Sequence, residues 1–240
     1  MKTRRHWRLT TEYQDDLVLF RTRLAKAGMV ALVALAVLAP LVLSEFWTTV
    51  LVYAGIASVG AIGLNLLTGF TGQVSLAHAF FLGVGAYTAA VLAKAGLPFP
   101  LWLLGAAAIG GFIGGLVGPF ALRLRGHYLA IVSLGLLFLG NHVFEHWTAV
   151  TGGLTGTAVS AKVALGPLDV ANLRALGLPL NRTQGFFYFT WIAVAVLALA
   201  ARNLLRTRPG RALQAVRDRD QAAEVIGVSL VHWKVGAFVV

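Results

Sequence analysis

LWLLGAAAIGGFIGGLVGPFALRLRGHYLAIVSLGLLFLGNHVFEHW, residues 101–147, holds two apolar runs, 101–121 and 127–147, joined by a turn that carries Arg123 and Arg125. Each run has the roughly 20 residues that, at about 1.5 Å of helical rise each, cross the hydrocarbon core of a bilayer. No water is available there to pair with backbone N–H and C=O groups, so runs of this length fold as helices and not as open strands. The same pattern extends outward to 26–44, 46–67, 74–93 and 185–203, and a seventh run starts near Val235. The expected fold class is all-α, a polytopic transmembrane helical bundle of six spans plus the start of a seventh.

Composition agrees. Hydrophobic residues make up 58% of the 240 and charged residues 12%, with a mean hydropathy of +0.78, outside the range of soluble domains. A net charge of +11 could suggest nucleic acid. The basic residues, however, flank apolar runs and do not line one soluble face, so the expected partner is the lipid bilayer and no nucleic acid. The absence of cysteine excludes a disulfide framework and any thiolate metal site.

Loops rich in Lys and Arg face the cytoplasm. Seven such residues precede the first span, two lie in the turn after the fourth, and six lie between Arg202 and Arg219, with Lys234 beyond. Six spans from a cytoplasmic N-terminus put all sixteen inside and leave Lys94, Lys162, Arg174 and Arg182 outside. The chain then divides into a cytoplasmic segment, 1–25, and a membrane domain, 26–240, with an extracytoplasmic loop at 148–184 and a cytoplasmic loop at 202–231. The first run is longer than the about 7–15 residue core of a secretory signal and reads as a retained anchor. Before it, TTEYQDDLVLFRTRLAK (10–26) sets Leu17, Phe20 and Leu24 at helical spacing among basic residues, the pattern of a helix lying on an anionic leaflet.

Gly110, Gly114 and Gly118 repeat every four residues in the fourth span and predict a smooth face for close helix packing. Where the second span meets the third, Asn65, Thr68, Thr71, Gln73, Ser75 and His78 gather polar groups, and Gly69 and Gly72 interrupt the helix. Discontinuous helices often build transport sites, so these residues either line a translocation pathway or satisfy one another at a bend. His78 has no intramembrane carboxylate beside it, which disfavours a proton-driven carrier.

In the basic loop, Pro209 can open a helix that gathers Ala212, Leu213, Ala215 and Val216 on one side, away from Arg211, Arg217 and Asp218. After DRD a second short helix carries Gln221, Ala222, Ala223 and Ile226, with Gly227 placed for a left-handed C-cap. Small side chains at 222 and 223 allow a partner's surface to come close to the helix backbone, as a plug does in a groove. This segment resembles the coupling loop of ABC importer permeases, whose EAAxxxG motif docks on an ATPase subunit, with Gln221 in place of the glutamate.

Four segments carry a more specific resemblance: GLNLLTGFTGQVSLAHAFFLGVGAYTAAVLA (63–93), LRLRGHYLAI (122–131), TGGLTG (151–156) and RTRPGRALQAVRDRDQAAEVIGV (206–228). Their order and content resemble the permease subunits of branched-chain amino acid ABC importers, and the LRLRG run resembles the member that pairs with a second, related permease. The resemblance implies a complex with that second permease subunit, two cytoplasmic ATPase subunits and an extracytoplasmic solute-binding protein landing near 148–184, in the inner membrane. It implies ATPase coupling through Arg211, Gln221, Ala222, Ala223 and Gly227, and, because members of that family continue through further spans, it implies that this sequence is either a fragment or a truncated form. No GxxxxGK[ST] loop is present, so ATP would be used by separate subunits. No cofactor is expected.

Two other functions stay open from the residues alone. One is a passive channel or secondary carrier for a small polar solute. The other is a membrane zinc peptidase, because HVFEH (142–146) matches an HxxEH pattern. Its place at the outer end of an apolar span, next to Trp147, reads more simply as interfacial polar residues, and no metal site is expected.

Overall fold

The computed structural model describes residues 23–123, 127–159, 163–165, 168–170 and 180–239. The chain forms two compact units, Met1–Glu45 and Phe46–Val240. In the first, α1 (Arg23–Val42) is a 20-residue apolar helix. Most of the expected interfacial helix, including Leu17 and Phe20, lies outside the described residues.

The second unit holds all but the first residue of α2 (Glu45–Leu64), which continues into a π-helical turn, Asn65–Gly69. It goes on through α3 (His78–Lys94), α4 (Phe99–Arg123), α5 (His127–His146) and the one-turn α6 (Thr148–Thr151). After these come α7 (Arg182–Arg206), α8 (Arg208–Asp218), α9 (Asp220–Val225) and α10 (Leu230–Val239). Among the described residues between α6 and α7 is a small antiparallel pair, β1 (Ala164–Leu165) with β2 (Leu168–Asp169). The fold class is that of a helical transmembrane bundle.

Among the described residues five helical stretches are long and apolar enough to span a bilayer: Leu24–Val42, Glu45–Gly69, Phe99–Phe120, Tyr128–His146 and Arg182–Arg206. The run expected over 74–93 is different. Its helix starts only at His78 and has 17 residues, about 25 Å of rise. Residues 72–75 are non-helical because Gly72 takes a φ of +68° and the side chains of Gln73 and Ser75 bond to nearby backbone and hydroxyl groups outside a helical ladder. The last apolar run begins at Leu230, five residues earlier than expected, where Ser229 Oγ accepts the His232 N–H at 3.4 Å.

Among the described residues of the second unit, buried apolar side chains gather in two clusters. At the α3–α4 corner Ala93, Phe99 and Trp102 pack with Phe189 of α7, and Trp102 Nε1 donates to the Leu97 carbonyl at 2.7 Å. Deeper, Leu129 of α5 meets Phe238 of α10, with Leu67, Phe81 and Val117 around them. The glycine face of α4 makes this approach possible: a Cβ at Gly114 would overlap the Phe238 carbonyl, and one at Gly118 would lie 3.0 Å from Val235 Cα. Gly110 differs, with nothing within 4 Å of where its Cβ would stand. Large side chains such as Leu104, Phe112 and Phe138 point outward, a surface suited to lipid or to partner helices.

Candidate functional site: the α8–α9 loop and the polar junction

The α8–α9 loop is built from a tight corner. Thr207 ends α7 by donating its N–H to the Leu204 carbonyl at 3.0 Å, and Pro209 sits in the first turn of α8, where its missing N–H costs nothing. A side chain at Gly210 would collide with the backbone of Leu204 and Leu205. Arg211 Nη1 donates to the Arg206 carbonyl at 3.1 Å, so this exposed arginine braces the end of α7. Along α8, Leu213 and Val216 are buried while Arg211, Arg217 and Asp218 are exposed, the amphipathic split the sequence predicts.

In α9 the two alanines part company. Ala223 is 2% exposed and faces the protein, whereas Gln221 and Ala222 face outward. Val225 and Ile226, at 87% and 74% exposure, form an apolar tip that the sequence reading did not single out as a pair. Ile226 lies just past the helix, not on a shared face with Ala223. Gly227 adopts a φ of +85°, and Val228 N–H donates to the Ala223 carbonyl at 2.9 Å, which closes the left-handed cap the sequence asks for.

The polar junction lies beside this loop. The Asn65 side chain occupies the space that a Cβ at Gly69 would need, and Thr71 Oγ1 donates to the Leu67 carbonyl inside the same turn. Gln73 Nε2 donates to Thr71 Oγ1 at 3.2 Å and to the Lys234 carbonyl at 3.3 Å. Ser75 Oγ accepts the Ala77 N–H, and Leu76 N–H donates to Ser133 Oγ of α5 at 2.8 Å. Thr71, Gln73 and Ser75 are all buried. Most of this cluster therefore serves the bend, although Thr68 Oγ1 and Gln73 Oε1 are buried without a partner among the described residues.

His78 behaves differently from the rest. Its ring lies against Gly60 and Gly63 of α2, whose missing side chains make room for it. It also lines a cavity of ≈250 Å³ together with Leu67, Gly110, Gly111 and Phe238. Of the residues expected along a pathway, His78 reaches this cavity, and Asn65, Thr68, Gln73 and Ser75 are not part of its wall. Gly110 opens onto the same space.

At the other end of the bundle TGGLTG folds as a knot. Thr151 Oγ1 donates to the Phe144 and Trp147 carbonyls at 2.6 and 2.9 Å, and Thr157 Oγ1 donates to the Thr151 carbonyl at 2.8 Å. His142 and His146 lie with ring centroids 4.1 Å apart on the exposed side of α5. Among the described residues no three His, Asp or Glu side chains converge as metal ligands, so HVFEH lacks a third ligand there.

A family model described as "Branched-chain amino acid transport system / permease component" matches residues 46–240. The chain belongs to that family. It is 32% identical over 229 residues to the "High-affinity branched-chain amino acid transport system permease protein LivM" of Escherichia coli (strain K12), covering 90% of this chain and 54% of that protein. The protein of the same description from Salmonella typhimurium is 31% identical over 230 residues, with the same coverage. The chain thus spans about half the length of these curated relatives. No solved structure matches it. As a member of this permease family with several apolar spanning helices, it is a multi-pass membrane protein.

Proposed function

We propose that this permease chain is a membrane-spanning subunit of an ATP-driven importer of branched-chain or related amino acids, in the cytoplasmic membrane with its N-terminus inside. Substrate moves between this subunit and a second, related permease. Two ATPase subunits in the cytoplasm supply the energy, and an extracytoplasmic binding protein delivers the amino acid.

The observation that carries this reading is the tip of the α8–α9 loop. Ala222, Val225 and Ile226 are exposed, and Gly227 ends the helix behind a braced corner. A partner's groove can take such an apolar tip as a rigid plug. The contact of Arg217 with the Gly69 carbonyl at 3.0 Å agrees with the count of six spans, which assigns the end of α2 and the loop after α7 to the same side of the membrane. With six spans, both positions fall on the side where sixteen Lys and Arg residues gather.

Alternating access needs a partner that binds two states differently, and the loop must pass that difference on as a stiff body. Gln221, Ala222 and Ile226 are contact residues in this account, with Arg211, Ala223 and Gly227 holding them in place. Ile226→Asp in the complete transporter should cut ATP-driven uptake at least tenfold and lose the copurifying ATPase, while membrane insertion is kept. Uptake at the parent rate in that variant, or transport by a lone homo-oligomer without ATP, would remove the importer reading.

A further inference from the structure

One direct contact and one route through α10 link the α8–α9 loop to the turn between α2 and α3. Arg217, at the end of α8, donates from Nη1 to the carbonyl of Gly69, and its Cγ lies 3.1 Å from where a Cβ at Gly72 would stand. Carbonyls at the end of a helix lack intrahelical partners, and a guanidinium satisfies one while complementing the negative end of the helix dipole. Asp220, the first residue of α9, pairs through Oδ2 with Lys234 Nζ of α10 at 2.5 Å. The side chains of this pair are only 29% and 13% exposed. The Lys234 carbonyl in turn accepts Gln73 Nε2, whose other contact is Thr71.

We propose that Arg217 and the Asp220–Lys234 pair are positioning residues that tie the α8–α9 loop to residues 69–77, so that a displacement of the loop is delivered to the start of α3. The two routes leave the loop at different residues and converge on one turn. From there, Leu76 N–H reaches Ser133 of α5, and the Ala77 carbonyl takes the Phe80 N–H that opens α3. A sheltered ion pair adds little net stability, because desolvation offsets its attraction, but it fixes a geometry and leaves a stranded charge if either partner is removed. The Gly72 turn also packs close to the Arg217 stem, leaving little room for a side chain at position 72. The tie's transport consequence rests on the importer reading above; the tie itself does not.

The test uses the absence of cysteine in this chain. Spin labels placed at Leu76→Cys and Arg219→Cys in the complete transporter report the distance between turn and loop, and uptake per ATP hydrolysed is measured on the same preparations. A narrow distance distribution is expected in the parent and in Lys234→Arg, and at least a twofold wider one in Asp220→Asn and in Arg217→Ala. Uptake per ATP should fall about tenfold in Asp220→Asn and Arg217→Ala and stay at the parent value in Lys234→Arg and Arg217→Lys. A merely structural role would lower the amount of assembled complex without changing that ratio. Distributions as narrow as the parent's in both Asp220→Asn and Arg217→Ala, or a parental uptake ratio despite widening, would overturn the proposal. A parent complex with a narrow distribution but no ATP-dependent uptake would overturn the importer reading and leave the tie standing.

Discussion

Ala222 and Ala223 are adjacent and chemically identical, yet one faces outward and the other is sealed against the protein. Successive residues on a helix point about 100° apart, so a single sequence cannot say which of two alanines is the packed one. Contact of α9 with its neighbours decides it. Ala223→Leu should therefore overpack its site and destabilise the chain by about 1–3 kcal/mol, whereas Ala222→Leu should leave the thermal midpoint unchanged and weaken ATPase copurification. Equal midpoints for both variants would contradict the assigned burial. Gly227 was readable in advance, because a glycine after a short alanine helix is a recognised cap. The Asp220–Lys234 pair was not, since its partners lie on separate helices and only the path of the loop brings them together.

At the scale of elements, the apolar runs mark the long helices, and polar residues shift the helix bounds. Residues 74–77 count as apolar span by composition, but Gly72, Gln73 and Ser75 divert the backbone before it can close a helix. The glycine repeat of α4 signalled a close neighbour without naming it. In the structure α10 fills that role at Gly114 and Gly118, and Gly110 opens on the His78 cavity. This division can be measured. Gly114→Ala should lower the stability of the detergent-solubilised chain by about 1–3 kcal/mol through overpacking against Phe238, while Gly110→Ala should hold or slightly raise it, as expected of alanine in a helix. A loss at both positions would mean that α4 packs along its whole glycine face.

For the whole molecule, the proposed topology rests on charge: a count of six spans puts sixteen basic residues on one side and four on the other. The Arg217–Gly69 contact is independent support, because it joins two chain positions that the six-span count puts on the same face. The central claim is that the α8–α9 loop faces the cytoplasm and seats against an ATPase. The most direct measurement places a single cysteine at Ile226 in this otherwise cysteine-free chain and treats intact cells and inverted vesicles with a membrane-impermeant thiol reagent. The account predicts no labelling in cells, labelling in inverted vesicles stripped of peripheral proteins, and protection when the ATPase is restored; labelling from the external medium would contradict it.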